Sequence, residues 1–321
     1  MARPRWLVVG FAFALGAVNA QTPEPVAQPP AEETIGLEGE VRMTVPISIG
    51  GRPYRFLVDT GSERTVISRE IAERHGLAPG ETVTVHSLTE VSRIPTAIVP
   101  ALQVGRRTVN GIQAPAIRET LLGADGLLGV DSLVSQRVVL NFRTNEMTIA
   151  ASRRERNREA RAPGDTIVVT ARTRFGHLIL VDAAIDGQRI WVIVDTGAEV
   201  SIGNLALRRR LERRNRLGPT ARMEVISVTG GRRMVDYGIA HRLRIGGVEI
   251  GNLPIGFADV APFRKLDLLD RPALLLGMGA LRLFDRVSLD FATREVRLDM
   301  PATDRPEVPR STDFRLPGSG S

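Results

Sequence analysis

The chain contains no cysteine. That absence excludes thiol catalysis, thiolate-ligated zinc, lipidation at an N-terminal cysteine and disulfides, so the fold rests on its core alone. Aromatic residues are scarce, at 4% against 43% hydrophobic residues overall, so Val, Ile and Leu carry the apolar content and lean toward aliphatic β-structure. Only four histidines occur. His75, His86, His177 and His241 lack metal-ligand spacing, and each reads as a surface or packing residue. No G-x-S-x-G element points to a serine hydrolase. The G-x-G in "LLLGMGALRLF" has Arg282 where a dinucleotide fingerprint needs its third glycine. Long apolar runs are missing too: residues 6–18 form one too short to span a bilayer.

The first twenty residues have the form of a secretory signal, with Arg3 and Arg5 ahead of that apolar run and Val18-Asn19-Ala20 as a cleavage site. The expectation is cleavage and a periplasmic or secreted protein with no stable membrane insertion. Residues 21–36, rich in Pro and Glu, read as a disordered spacer. Residues 151–165 read as a charged linker and 301–321 as a disordered tail. Between these breaks lie two blocks of similar length, 37–150 and 166–300. The formal net charge is +7, with Arg concentrated at 208–216. A solvated basic face accounts for that stretch, and nucleic-acid binding has no support beyond charge.

The two blocks are repeats. "ISIGGRPYRFLVDTG" aligns with "AAIDGQRIWVIVDTG", "DGLLGVDSL" with "ALLLGMGAL", and "RVVLNFRTNEMTI" with "RVSLDFATREVRL", in the same order in both. Within each, alternating apolar runs turn at Gly50-Gly51 or Asp186-Gly187, a strong hairpin signal. A short helix follows each acid motif, ending near Gly76 in the first block and near Gly218 in the second. An apolar strand ends at Asp59 in one block and at Asp195 in the other. A carboxylate there is costly unless it is paired or used.

These residues resemble the retropepsin-like group of aspartic peptidases, in a tandem, exported form. The resemblance is carried by Asp59-Thr60-Gly61-Ser62-Glu63 and Asp195-Thr196-Gly197-Ala198-Glu199. Each is followed later by two apolar residues and Gly, at Leu127-Leu128-Gly129 and Leu275-Leu276-Gly277. It implies a mostly β fold of two acid-protease β-barrel lobes with short helices, related by a pseudo-two-fold axis. It implies an aspartic endopeptidase, with Asp59 and Asp195 as catalytic residues and no cofactor or metal. A non-catalytic peptide- or protein-binding module on the same scaffold is the alternative. Two carboxylates sharing one proton suit hydrolysis, because one takes a proton from water while the other polarises the carbonyl. Thr60 and Thr196 match the family's loop-locking threonines. Gly61 and Gly197 let backbone N–H groups approach the acids. Ser62 opposite Ala198 breaks the symmetry, and a hydroxyl beside Asp59 favours Asp59 as the charged member. Val130-Asp131 and Met278-Gly279 stand where retroviral members carry Arg and then Asp or Asn, so the motif does not name partners for Glu63 and Glu199. The family's flaps map onto residues 83–94, with Leu88, Thr89 and also His86, and onto 225–235, with Thr229, Gly230 and Gly231. Glycine at the second tip and none at the first predicts that the second flap is the moving lid. The implied partner is a peptide or protein substrate, bound by a monomer whose dyad is intramolecular.

Overall fold

The structure, a computed structural model, describes residues 33–36, 44–87, 90–104, 107–134, 136–152, 166–218, 220–227 and 229–301. The signal at 1–20, the spacer up to Glu32, the linker from 153 to 165, the tail from 302 onward, and the flap residues Leu88 and Thr89 lie outside the described residues.

The first repeat forms β1 (Glu33–Gly36), β2 (Thr44–Ile49), β3 (Arg52–Val58), β4 (Val66–Ser68), α1 (Arg69–Arg74), β5 (Val83–His86), β6 (Val91–Ile94), β7 (Thr96–Val104), β8 (Arg107–Ile117), α2 (Glu119–Leu122), β9 (Gly126–Leu128), a 3-10 turn at Val130–Ser132, β10 (Gln136–Asn141) and β11 (Glu146–Ala151). The second forms β12 (Thr166–Arg174), β13 (His177–Ile185), β14 (Gln188–Val194), β15 (Ser201–Gly203), α3 (Leu205–Glu212), β16 (Ala221–Ile226), β17 (Arg232–Ile245), β18 (Val248–Phe257), α4 (Ala261–Lys265), β19 (Ala273–Leu276), α5 (Met278–Leu281), β20 (Arg286–Asp290) and β21 (Glu295–Asp299).

In the first lobe β2-β3-β9-β4-β8-β7 close into a barrel. The second lobe runs β13-β14-β19-β15-β18-β17, and β13 pairs with β17 to complete the same circuit. The hairpins turn where the sequence indicates: Gly50 and Gly51, and Asp186 and Gly187, all take positive φ, as a two-residue hairpin turn requires. In each lobe the strand leading to the acid pairs in parallel with the apolar-apolar strand, β3 with β9 and β14 with β19. Every residue of β9 and β19 is buried. That is why those strands are continuously apolar rather than alternating.

A six-strand run, β1-β11-β10-β20-β21-β12, joins the lobes. β10 and β20 pair antiparallel, with Val139 opposite Ser288. The repeat alignment makes those two residues equivalent, so the local two-fold passes between them. Val138, Leu140, Val287 and Leu289 are fully buried beneath this sheet in one continuous core.

Three boundaries depart from the sequence reading. Glu33–Gly36, assigned to the spacer, form β1 on the edge of β11, the place β12 takes on β21. Strand edges demand partners, and that demand overrides the polar composition. Ala151 belongs to β11 rather than the linker, and Ser152 donates its hydroxyl to Asp290 at 2.7 Å. Helix α3 ends at Glu212, well before Gly218, and Asn215 takes the left-handed conformation after it.

Candidate active site

Each acid sits where a buried strand leaves the barrel. Asp59 follows β3 and donates its N–H to Leu128 at 3.0 Å; Asp195 follows β14 and donates to Leu276 at 3.0 Å. The two-apolar-plus-Gly element thus acts locally, holding the first peptide of the acid loop. Its glycines are tied in as well: Gly129 N–H donates to the Thr65 hydroxyl at 3.2 Å and Gly277 N–H to the Ser201 hydroxyl at 3.1 Å.

Both carboxylates are nearly inaccessible, Asp59 at 9% and Asp195 at 5% relative exposure. Asp59 Oδ1 accepts the N–H groups of Gly61 and Ser62 at 2.9 and 3.0 Å; Asp195 Oδ1 accepts those of Gly197 and Ala198 at 2.9 and 3.2 Å. The loops face each other closely. A Cβ on Gly61 would fall 2.5 Å from the Asp195 carboxyl carbon, and one on Gly197 would collide with the Asp59 carboxylate in the same way. Glycine is therefore required twice, once per lobe, by the acid of the other lobe.

Thr60 and Thr196 lock this arrangement. The Thr60 hydroxyl donates to Val194 O at 2.9 Å and accepts the Thr196 N–H at 3.1 Å. Reciprocally, the Thr196 hydroxyl donates to Val58 O at 2.8 Å and accepts the Thr60 N–H at 3.0 Å. Four buried cross-lobe hydrogen bonds result, and every group in them is satisfied.

The Asp195 carboxyl is pushed up to about 7, first by burial and then by the charge of Asp59, against the opposing pull of its backbone donors and His177. Asp195 thus holds its proton to higher pH than an ordinary carboxylate, with burial and the neighbouring Asp59 charge as the causes. The Ser62 hydroxyl expected to favour charge on Asp59 does not reach it. The Ser62 hydroxyl donates to Arg64 O at 2.7 Å, and only the Ser62 backbone N–H reaches Asp59.

Several supporting residues escape the motif reading. His177, on β13 of the second lobe, is buried with Nδ1 3.2 Å from the Thr60 carbonyl oxygen and Nε2 3.7 Å from Glu63 Oε1. A carbonyl only accepts, so Nδ1 carries the hydrogen. Lys265 of α4 reaches Glu63 Oε2 at 2.6 Å. Burial raises the Glu63 carboxyl, but pairing with His177 and Lys265 outweighs it and leaves Glu63 below the usual carboxylate range. In the other half the Arg282 guanidinium is lowered by burial, and the Glu199 charge opposes that shift. Asp131 braces the first loop by accepting the Thr65 N–H and hydroxyl, at 2.9 and 2.7 Å. Asp131 stands just after the two-apolar-plus-Gly element, whereas His177, Lys265 and Arg282 arrive from remote positions or the opposite lobe, so motif spacing carries no signal for those three. The repeat alignment alone marks Thr65 and Ser201 as equivalent.

A cleft of about 380 Å³ lies over the two acids. Its walls are apolar on both sides, with Val66, Ile117 and Leu127 from one lobe and Ile202, Met223 and Val225 from the other. Two hairpins overhang it. β5–β6 supplies Val85, His86 and Ser87, so His86 is a cleft residue; β16–β17 supplies Met223 to Ser227. At the second tip the Thr229 and Ser227 hydroxyls lie 2.8 Å apart, and Gly231 O accepts the Ser227 N–H at 2.8 Å. Gly230 has φ of +89° and packs on Leu121, whose Cδ2 would lie 2.8 Å from a Cβ there. Gly230 is therefore fitted against the opposite lobe, and its value does not lie in mobility alone. Strand β17 continues unbroken into the barrel, whereas Pro95 separates β6 from β7. The flap expected to be the looser one is the more firmly tied.

Two facing acid loops on paired β-barrel lobes, crossed by reciprocal threonine hydrogen bonds and roofed by hairpins, define an acid-protease scaffold. A family model described as aspartyl protease matches residues 45–132 and 181–280, once per lobe, and the chain belongs to that family. None of the curated proteins compared with the chain matches it.

Proposed function

We propose that the chain is an aspartic endopeptidase in which Asp59 and Asp195 share one proton and activate a water molecule. In the resting state Asp59 is the carboxylate and Asp195 the acid. Asp59 takes a proton as the water oxygen attacks the peptide carbon, while Asp195 donates to the carbonyl oxygen. The tetrahedral gem-diol collapses as a proton passes from Asp59 to the departing nitrogen, the C–N bond breaks, and one hydroxyl returns a proton to Asp195, leaving a carboxylic acid and the resting dyad. The observation that carries this reading is the reciprocal contact of each carboxylate with the glycine of the other loop. Contact that close makes two simultaneous charges unfavourable. The substrate is a peptide or protein laid across the cleft, no cofactor is required, and a single chain supplies both acids. The first twenty residues act as a cleaved export signal, giving a periplasmic or secreted enzyme.

Digestion of a mixed peptide library from pH 3 to 8 tests the reading. Purified protein cuts peptides between apolar residues, and activity declines as the pH rises through about 7, where Asp195 loses its proton. Asp59→Asn cuts none. A folded wild-type protein that hydrolyses no peptide at any pH contradicts it.

A further inference from the structure

The cleft extends past the site of the two acids. Beyond Ser62 it opens into a second hollow of about 380 Å³, with which it shares Gly61, Ser62, Val66, Val85, His86 and Pro262. The hollow adds Arg64 and Lys265, beside Glu63 and His177. At the opposite end, the cleft is lined by Glu199, Val200, Glu224 and Ile226.

The repeat makes these two ends equivalent in position, but they are not equivalent in charge. Counting from the paired acids, Arg64 corresponds to Val200. Counting from the flap residues Ser87 and Ser227, whose N–H groups both close the hairpin turn, His86 corresponds to Ile226 and Thr84 to Glu224. The Arg64–Val200 and Thr84–Glu224 differences act in one sense, giving the Arg64 end more positive charge and the Glu224 end more negative charge, and His86 sets a polar ring where the other end has an apolar side chain. Lys265 adds to the first end and is held there by Glu63 and the Phe175 ring, 5.4 Å from its centroid. The cations that act on the carboxylates of the second end are outside the lining: Arg232 meets Glu224 at 2.9 Å, and Arg282 feels the charge of Glu199. The duplication thus keeps a two-fold at the acids and loses it at the cleft ends.

We propose that the cleft selects and orients its peptide by charge, taking an acidic side chain at the Arg64–Lys265 end and a basic one at the Glu199–Glu224 end, with apolar side chains between. This rests on the reading of the cleft as a peptide site. A two-fold cleft accepts a chain in either direction equally well. A cleft with opposite charges at its ends does not, because reversing the peptide sets like charges against each other.

Three peptides with one apolar centre serve as probes: one with an acidic and a basic end, one acidic at both ends, and a neutral control. Each is made cleavable and also with a hydroxyethylene group replacing the scissile bond. Kd is measured with the uncleavable forms and kcat/KM with the cleavable ones. The mixed-charge peptide is expected to bind roughly tenfold more tightly than the doubly acidic one. The ratio should shrink as salt rises from about 0.05 to 0.5 M. Glu224→Lys, at an exposed position, should reverse the preference, and Arg64→Gln with Glu224→Gln should erase it. Equal binding of the two charged peptides, or a preference that neither variant alters, overturns the inference even if all three peptides are hydrolysed. Charge-selective binding without hydrolysis upholds the inference and contradicts the peptidase reading. Absence of binding by any probe contradicts both.

Discussion

At the scale of single residues, the acids dominate, and Asp195 makes a claim about stability as well as chemistry. Its folded pKa, about 7, lies above the ordinary aspartate value of 3.8. Between those values the folded protein holds a proton that the unfolded chain has released. Stability attributable to this group is therefore present at low pH and lost as pH rises from about 4 to 7. Replacement by Asn removes the penalty. Asp195→Asn is expected to abolish hydrolysis and to be at least as stable as wild type, with an advantage that grows to pH 7 and then levels off; urea denaturation from pH 4 to 8 measures it. Parallel stability curves for the two proteins contradict the assignment. Thr60 makes a different claim. Thr60→Val removes the donor to Val194 O and the acceptor for the Thr196 N–H. Leaving a buried N–H unsatisfied costs about 1–3 kcal/mol. Thr60→Ser, which keeps the hydroxyl, should recover most of the loss in urea midpoint.

The same residues show what was legible beforehand. Asp59, Thr60, Gly61 and their second-lobe counterparts could be picked out because a five-residue motif recurs once per block, although Thr60 and Gly61 act across the lobe interface. His177, Lys265 and Arg282 could not, because each reaches its partner across the lobe interface or from a distant element, where only the folded chain sets the distance. Ser62 is an intermediate case. Its backbone N–H contributes as the motif implies, while its hydroxyl turns to Arg64 O, a choice of rotamer that sequence does not encode.

At the scale of elements, the hairpins over the cleft invite the sharpest test. Glycine at a tip suggests freedom, but attachment matters more. β5 and β6 form a two-stranded sheet of four-residue strands, and Pro95 interrupts their passage into the barrel. Proline has no N–H to offer a ladder, and an isolated two-stranded hairpin is marginal. β16 instead pairs along six residues of β17, which runs fourteen residues into the barrel. Hydrogen exchange is therefore expected to be faster in β5–β6 than in β16–β17, with the first flap gaining more protection when a peptide inhibitor binds. Faster exchange in the second flap would restore the glycine argument. Helix ends and edge strands were misjudged for a related reason. Gly218 looked like a cap by residue type, and residues 33–36 looked like a spacer by composition. In the fold, Asn215 supplies the left-handed turn after α3, and the open edge of β11 recruits the polar strand β1.

For the whole molecule, duplication explains why one chain carries the same acid twice. The repeats predicted two lobes and a pseudo-two-fold, and the pairing of Val139 with Ser288 locates that axis in the shared sheet. The lobes are joined by β10–β20 and by the threonine lock, both formed within one chain. The proposed dyad is consequently complete in a monomer. The most direct measurement is the stoichiometry of a peptide analogue bearing a hydroxyl in place of the scissile carbonyl, which imitates the tetrahedral state that the acids would stabilise. Calorimetric titration at several protein concentrations is expected to give one analogue per chain throughout, with binding lost in both Asp59→Asn and Asp195→Asn. One analogue per two chains, or undiminished binding by either variant, contradicts the account.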